Sequence, residues 1–212
     1  MATYESIIKI TGAVGDLVFY DLNGKNVVRK KSGFNKTAFK KNPSYEKVRQ
    51  NSSEFGHCSK TGKAIRNSLN VYIKTAGDPL LYQKFAKLMT EVKDLDMTSE
   101  RGKRTVENGL KTEEGQKLLR EFQFGGIKKT ADRIRIENQT LHLKHSSLMY
   151  KMIILTIKLD SEHCNTEYAE EILPLDKQQE IVFQQHFSEK SVLLYFAALQ
   201  NEDNEITHMG FV

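Results

Sequence analysis

The chain has no tryptophan, only two cysteines among 212 residues and no long apolar run. Cys58 and Cys164 are too few for a disulfide framework and fit a reducing compartment. A membrane-spanning helix needs about 20 consecutive apolar residues, so we predict that no segment crosses a membrane. The first residues, MATYESIIKI, lack a basic region and a small-residue cleavage site. We therefore expect no signal peptide and a cytoplasmic protein.

Charge is present in both signs, but it is unevenly distributed. Residues 21–70 carry twelve Lys or Arg against three Asp or Glu, whereas residues 161–212 carry two against ten. Opposite potentials steer and orient association, so the two ends either meet within one molecule or attract another copy head to tail. Two solvated faces without any partner are the remaining alternative.

A β-hairpin is predicted near the N-terminus, over residues 7–31. Residues 17–22 alternate between two faces with the period of a strand. Asn23-Gly24 follows, and this pair is the strongest short-range hairpin signal because a type I′ turn needs positive φ at both central residues. The return strand at 26–31 ends in a basic run.

Helices are predicted from residue 43 to Gly125-Gly126. Asn42-Pro43 and Asp78-Pro79 both have the pattern of a helix start, and the first helix is predicted to reach about residue 75. Gly62 lies on its apolar face, which predicts close packing there. Ser99 is the predicted cap of a short helix, and Thr112 is the predicted cap of the last one. Six apolar side chains of these helices are predicted to share a core: Phe55, Ile65, Leu69, Phe85, Leu88 and Leu119.

After residue 126 the sequence changes to short strands separated by turns. Alternating pairs flank Asn138-Gln139, a β-branched run occupies 149–159, and further runs follow at 180–187 and 192–199. This spacing is typical of a sandwich. The predicted fold class is α+β: an N-terminal β-hairpin plus helical module over residues 1–125, then a C-terminal antiparallel β-sandwich-like domain over residues 126–212.

Several segments together resemble an uncharacterised protein family of the Bacteroidota. They are GAVGDLVFY, NGKNVVRKK, NPSYEKVRQNSSEFG, SKTGKAIRNSL, DMTSERGKRTVENGL and LLREFQFG, and they cover roughly residues 7–125. A second uncharacterised family, with a Gly-rich opening, a short hairpin ending in an Arg, a helix and a β-sandwich, is similar in plan. This chain departs from the first family at Gly125-Gly126, where Asn is expected after Phe124.

The resemblance implies an ordered module and no known activity. Its motif positions are occupied by Gly15, Arg29, Arg49, Glu54, Phe55, Gly62, Arg66, Arg101, Gly102 and Arg104.

The motifs that bear on catalysis are weak. Residues 56–63 resemble a P-loop, but five residues separate the glycines instead of four, and Ala64 replaces the magnesium-binding Ser or Thr. The two His-Cys pairs, His57-Cys58 and His163-Cys164, and the pair His142 and His145 do not have the spacing of a zinc site.

Other arrangements that could support catalysis are equally incomplete. A Cys58/His57 nucleophile pair lacks an evident partner and oxyanion hole. The carboxylates Asp94, Asp96 and Glu100 fit a capped turn better than an acid–base or metal site. We therefore predict no enzyme activity, no catalytic residue, no metal, no cofactor and no small-molecule substrate.

Two functions remain. The basic N-terminal half, with its interleaved aromatic residues, could bind nucleic acid, although no recognition motif is present. The preferred hypothesis is a non-enzymatic structural subunit that self-associates head to tail into a filament, tube or ring, because a charge dipole favours a heterologous contact and a terminal edge strand can join a neighbouring sheet. The predicted interface comprises Tyr4, Ile7, Ile8, Arg29, Lys30, Lys31, Lys41, Glu167, Glu170, Glu171, Glu202, Asp203, Glu205 and Phe211.

Overall fold

The computed structural model describes residues 2–6, 8–31, 36–131, 133–137, 139–144, 151–160, 163–175, 180–188 and 191–212. Within these ranges the chain combines α-helices with antiparallel sheets, which confirms the predicted α+β class. Contacts divide the chain into two compact units, residues 1–46 and residues 47–212. The boundary predicted near residue 125 falls inside the second unit, because its helices and its largest sheet share one core.

The first unit is a four-stranded antiparallel sheet with short helical turns after it. Its strands are β1 (Ala2–Thr3), β2 (Gly12–Val14), β3 (Leu17–Leu22) and β4 (Lys25–Lys30), in the order β1-β4-β3-β2. Helix α1 (Lys36–Lys41) and a 3-10 turn (Pro43–Tyr45) complete the unit. The predicted hairpin is thus the centre of this sheet, and β1 and β2 are its edges.

The turn between β3 and β4 has the predicted backbone geometry. Asn23 has φ 53° and Gly24 has φ 79°, the positive values that a type I′ turn needs. The Asp21 carboxylate accepts a hydrogen bond from the Gly24 N–H at 2.8 Å, which closes the turn. The register runs from Leu17 opposite Lys30 to Leu22 opposite Lys25.

The second unit begins with five helices. They are α2 (Glu46–Ser68), α3 (Asn70–Ala76), α4 (Leu81–Asp94), α5 (Val106–Leu110) and α6 (Glu113–Glu121). The single helix predicted over 43–75 is therefore interrupted at Leu69. Thr112 caps α6 as predicted, its hydroxyl accepting the Gly115 N–H at 3.0 Å.

Two antiparallel sheets follow the helices. The strands are β5 (Ile134–Glu137), β6 (Thr140–Leu143), β7 (Lys151–Asp160), β8 (Asn165–Pro174), β9 (Glu180–Val182), β10 (Leu193–Gln200) and β11 (Ile206–Phe211). One sheet has the order β11-β10-β7-β8 and the other has the order β5-β6-β9.

The central strands of the larger sheet, β7 and β10, are buried on both faces, because their alternate residues belong to different cores. Ile153, Leu155 and Ile157 of β7 pack with the helices, whereas Met152 and Ile154 pack with the smaller sheet. This explains why β7 is a nearly continuous apolar run instead of an alternating one. The second unit is therefore three-layered, with helices, the larger sheet and the smaller sheet in that order.

Five of the six side chains predicted to share a core do so. Ile65, Leu69, Phe85, Leu88 and Leu119 belong to the cluster between the helices and the larger sheet. The prediction was wrong for the sixth, Phe55, whose side chain is 64% exposed. Phe55 lies one residue after the buried Glu54, so α2 turns that acid inward and the phenyl ring outward.

Gly62 is a point of close packing between α2 and α4, as predicted. A Cβ atom there would lie 2.9 Å from the Met89 side chain and 3.7 Å from the Phe85 ring. Real Cβ atoms essentially never approach a neighbour to 2.9 Å. Any larger residue would therefore force the Met89 side chain, or the backbone of one of the two helices, to shift.

Candidate functional site

The predicted donor residues lie in the first unit and are mostly exposed. Lys30, Lys31 and Lys41 are exposed and have no carboxylate within 4.0 Å among the described residues. Arg29 is exposed on β4, with its guanidinium 5.9 Å from the centre of the Tyr20 ring. The basic donor surface is therefore open to solvent along the end of β4 and on α1.

The apolar members of the predicted donor surface differ from one another. Ile8 is 71% exposed, and such exposure in the single chain is required of a residue that contacts another copy. Tyr4 is half-buried, because its hydroxyl donates to the Ile10 carbonyl at 3.1 Å and its ring meets Phe19 edge-on at 5.6 Å. Ile7 lies outside the described residues.

Phe211 does not belong to any exposed surface, so this part of the predicted interface was wrong. Its side chain is fully buried on β11 and packs against Phe85, Phe124 and Phe196. Its place in the sequence near the acidic end suggested exposure. The pairing of β11 with β10 turns it into the helix-facing core instead.

Three of the predicted acceptor carboxylates lie on β8, and each already has a partner within the chain. Glu167 pairs with Lys158 at 3.2 Å, and Glu170 accepts the Tyr72 hydroxyl hydrogen bond at 3.1 Å. Glu171 accepts the Gln184 N–H at 3.2 Å. Their negative charge is therefore partly used in holding β8 to its neighbours.

The other three acceptor carboxylates lie elsewhere on the molecule. Glu202, Asp203 and Glu205 are exposed in the turn between β10 and β11. This turn follows Gln200, which pairs with Lys151, whereas Glu171 and Glu167 pair with Ile154 and Lys158 of the same strand. Three to seven residues of extended chain, roughly 10–24 Å, therefore separate these carboxylates from the turn along the strand direction. The predicted acceptor set is thus spread over β8 and the turn after β10.

The strand β8 itself was not predicted from the sequence, and it forms one edge of the larger sheet. It is ten residues long and ends the order β11-β10-β7-β8, with no partner strand on its outer side among the described residues. Tyr168 and Ile172 on this strand are 54% and 58% exposed. Long edge strands with exposed apolar side chains are templates for pairing with another chain. Three acids among its residues obscure the strand pattern in the sequence.

The first unit is a sheet with almost no hydrophobic core, so its apolar side chains are also exposed. Val27 is the only buried side chain among its described residues. Five of its aliphatic side chains are at least 40% exposed: Ile8, Ile10, Val14, Leu17 and Leu22. Isolated small sheets are marginally stable in water unless a hydrophobic face is covered.

Several motif positions of the resemblance meet around one buried acid. Glu54 of α2 accepts hydrogen bonds from Lys93 at 2.9 Å and from the Gly102 N–H at 2.6 Å, and Arg104 lies 3.9 Å away. Burial alone would raise the pKa of Glu54, but Lys93, Gly102 and Arg104 outweigh it and the pKa is lowered. This cluster fixes the 96–105 loop to α2, so its role is structural.

Asp96 organises the same loop, as the capped-turn prediction required. Its carboxylate accepts hydrogen bonds from the backbone of Thr98, Ser99 and Thr105 and from the Asn108 side chain. The predicted short helix capped by Ser99 is absent from this loop. Thr105 caps α5 instead, its hydroxyl accepting the Asn108 N–H at 3.2 Å.

The two His-Cys pairs are brought together across the chain. Cys164, at φ 49°, places its Sγ 3.6 Å from Nδ1 of His57. The Val106 N–H donates to Nε2 of His57 at 3.2 Å, so the neutral ring carries its proton on Nδ1, facing the sulfur. Burial, aided by the charge of Lys60, lowers the pKa of His57. A neutral ring that donates to the sulfur cannot take its proton at that atom, which disfavours a Cys–His nucleophile.

The remaining catalytic candidates have no supporting geometry. Cys58 is buried, and burial raises the pKa of its thiol to about 11, so it is almost wholly protonated at neutral pH. The P-loop-like residues 56–63 lie within α2. Among the described residues, no group of three or more His, Cys, Asp or Glu side chains could hold a metal ion. His145 lies outside the described residues.

Three comparisons with known proteins tested whether these features have recognised relatives. No protein-family model, no curated protein and no solved structure matches the chain. The resemblance to the Bacteroidota family therefore stays a prediction from the motifs. In the described part of the chain, no helix is both long and apolar enough to span a membrane.

Proposed function

We propose that this protein is a non-enzymatic structural subunit that self-associates head to tail. The observation that carries the proposal is the outer edge of β8, a ten-residue strand without a pairing partner among the described residues. Such an edge presents a row of free N–H and C=O groups. A strand from another copy would satisfy them, and its side chains would cover Tyr168 and Ile172.

The first unit is the proposed donor. Its sheet has two edges, β1 and β2, and exposes aliphatic side chains that a second copy would bury. Donor and acceptor are different surfaces, so the contact is heterologous and repeats from copy to copy. A heterologous contact closes into a ring or continues as a filament or tube.

Charge contributes orientation in this proposal, and apolar and strand-edge contacts contribute affinity. Exposed ion pairs are worth only about 0–1 kcal/mol each. Glu167, Glu170 and Glu171 also keep partners within their own chain. The donor cations Lys30, Lys31 and Lys41 therefore act as a long-range guide. Two free cysteines support a reducing, cytoplasmic location for the assembly.

Analytical ultracentrifugation tests the assembly and its acceptor edge. The substitution Ile172→Lys places a charge on the exposed edge strand, and we expect it to shift the protein to monomers. Met97→Lys is the matched control, because Met97 is 88% exposed in the loop after α4 and receives the same charge outside every described strand. A wild-type protein that sediments as a monomer over a wide concentration range contradicts self-association. Equal assembly of Ile172→Lys and wild type excludes the β8 edge.

The donor side is tested by deleting residues 2–8, which removes β1 and Ile8. We expect the shortened protein to remain folded by circular dichroism and to sediment as a monomer. Lys30→Glu with Lys31→Glu should weaken assembly more at low salt than at high salt, because it changes only long-range charge. Lys63→Glu with Lys74→Glu, two exposed lysines of the second unit, is the control.

Nucleic-acid binding is the second candidate, because the first unit carries many available cations. Seven of its lysines are exposed and have no ion pair with another described residue: Lys9, Lys25, Lys30, Lys31, Lys36, Lys40 and Lys41. Binding to DNA should then weaken steeply with salt, with a log–log slope near −0.9 per phosphate neutralised. Reversing Lys30, Lys31, Lys40 and Lys41 to Glu should abolish binding without changing oligomer size. Absence of salt-sensitive binding at low ionic strength excludes this function.

A further inference from the structure

A large cleft opens on the second unit, at a place unrelated to the proposed assembly surfaces. Its volume is about 770 Å³, within the 300–1,000 Å³ range of small-molecule sites. One wall is formed by the end of α5 and by α6, and the other is formed by the segment before β5 and by β5 itself. Residues 191–195, at the start of β10, complete the lining.

Cations predominate along the walls of this cleft. Lys117 and Arg120 lie on α6, Lys129 and Arg135 lie on the opposite wall, and Lys111 lies at the end of α5. Lys111 is 3.8 Å from the Glu107 carboxylate. The other four have no ion pair and no side-chain hydrogen bond with any described residue.

Two of these cations are held close to the protein surface. Arg120 and Lys129 are half-buried, whereas the other three are exposed. Two lining side chains are carboxylates, Glu121 and Glu137, both exposed and neither within 4.0 Å of a cation among the described residues. The last residue, Val212, also lines the cleft, and its main-chain carboxylate adds a third negative charge against the five cations. Cations that face one another across a low-dielectric cleft concentrate positive potential inside it. The cleft therefore favours an anion.

The floor of the cleft is aliphatic. Leu110, Leu119 and Leu194 belong to the core between the helices and the larger sheet, whereas Ile134 belongs to the core between the two sheets. The cleft thus reaches the junction of the two cores, where the helix layer ends and the edge strand β5 begins. These four side chains are at most 5% exposed, so the accessible apolar surface above them comes from the half-buried Ile136, Val192 and Leu193. An inorganic anion alone would leave that surface in contact with water.

The ligand must match both properties. A neutral apolar molecule would fill the floor but leave four cations without partners. A nucleic-acid strand would be a poor match, because among the described lining residues the only aromatic side chain is Tyr195, and single strands bind through successive stacked bases. A small molecule with one anionic group and an aliphatic portion satisfies the walls and the floor together.

We propose that this cleft binds a small amphipathic organic anion, with its phosphate or carboxylate between Arg120 and Lys129 and its aliphatic portion on Ile136, Val192 and Leu193. Arg120 supplies a planar pair of donors suited to either oxyanion, and Lys129 supplies a second charge from the opposite wall. This site is independent of self-association, because its lining contains neither β8 nor the first unit.

Isothermal titration calorimetry of the full chain tests the site with octyl phosphate and decanoate as probes. Inorganic phosphate provides the charge alone, and octyl glucoside provides the chain alone. We expect at least one amphipathic anion to bind with a stoichiometry of one, at least tenfold more tightly than inorganic phosphate or octyl glucoside. The preferred anion distinguishes a phosphate ligand from a carboxylate ligand. Absence of saturable binding, or equal binding of either single-property probe, overturns the proposal.

Charge removal then locates the site. Arg120→Gln with Lys129→Gln should weaken binding of the preferred anion at least tenfold. Lys63→Gln with Lys74→Gln is the matched control, because both lysines are exposed elsewhere on the second unit, and it should stay within twofold of wild type. Equal affinity of the two double variants overturns the assignment. If the first variant does not fold by circular dichroism, Arg120→Gln and Lys129→Gln are measured singly, and each should weaken binding because each removes one of the two proposed anion contacts, whereas Lys63→Gln alone should not.

Discussion

The two units of this protein differ in how much of their apolar surface is buried. The second unit has two cores on the two faces of one sheet, and Phe85, Phe124 and Phe196 are fully buried within it. The first unit has four strands, a well-formed type I′ turn and one buried side chain among its described residues. Regular hydrogen bonding therefore does not by itself produce a core.

The reason lies in how many layers each unit has. A sheet buries side chains only where a second layer covers it, and the second unit covers its larger sheet twice. The first unit of 46 residues has too little chain to cover four strands. Its aliphatic side chains are available for a partner, which is why we regard it as the donor of an assembly.

The largest effect is expected from opening the core of the second unit. Phe196→Ala should lower the free energy of unfolding by about 3–5 kcal/mol, because the ring is fully buried against Tyr72, Phe124 and Phe211. Urea denaturation followed by circular dichroism measures this, since the chain has no tryptophan. Val182→Ala, at a position that is 73% exposed, is the control. A decrease in the free energy of unfolding below about 1 kcal/mol would contradict the full burial of the Phe196 ring.

A smaller but pH-dependent effect is expected at Asp96. Burial raises its pKa, but the hydrogen bonds from Thr105, Thr98, Ser99 and Asn108 outweigh burial and hold the pKa well below its usual range. Asp96→Asn should cost about 2–4 kcal/mol at pH 7, because a charged acceptor with several donors is lost.

The sign of the pH dependence follows from this lowered pKa. The stabilisation is fully present above the unfolded-state pKa of about 3.9 and is lost as pH falls further, because the unfolded chain then binds a proton that the folded chain does not. The difference between wild type and Asp96→Asn should therefore shrink between pH 5 and pH 3 in urea denaturation. A difference that is constant over this range would show that Asp96 does not titrate as proposed.

In the first unit, a backbone substitution should have a local effect. Gly24→Ala should destabilise the β3–β4 hairpin by about 1 kcal/mol, because φ at this position is 79° and alanine adopts such values at a cost. Hydrogen exchange should become faster for amides of β3 and β4 while amides of β7 and β10 keep their protection. Gly56→Ala, inside α2 with open space around its Cβ position, is the control.

The smallest effect is expected from an exposed apolar residue of the first unit. Leu22→Ser should change the free energy of unfolding by less than about 0.5 kcal/mol, because the Leu22 side chain is already 48% exposed. Under the assembly proposal the same substitution should weaken self-association, which ultracentrifugation measures. A loss of stability without any change in association would indicate that Leu22 packs within its own chain.

Much of the local structure was predictable from the sequence, because short-range signals specify it. Asn23-Gly24 specified a turn, Thr112 specified a helix cap and Gly62 specified a close approach of helices. Predictions from these short-range signals were wrong where contacts between distant parts of the chain determine which side chains are buried. Phe55 was placed in the core by its spacing, but the buried partner of that part of α2 is Glu54, which pairs with Lys93 from another helix.

The sequence by itself determined the α+β class, the hairpin, the Thr112 cap of α6 and the unequal distribution of charge, because these depend on residues close together in the chain. Only the tertiary structure decided what surrounds each residue. It buried Phe211, brought His57 to Cys164 across 107 positions and left the edge of β8 without a partner among the described residues. It also gathered the cations of the cleft from α5, α6, β5 and the segment before β5. Such juxtapositions follow from the packing of layers, which no local sequence pattern encodes.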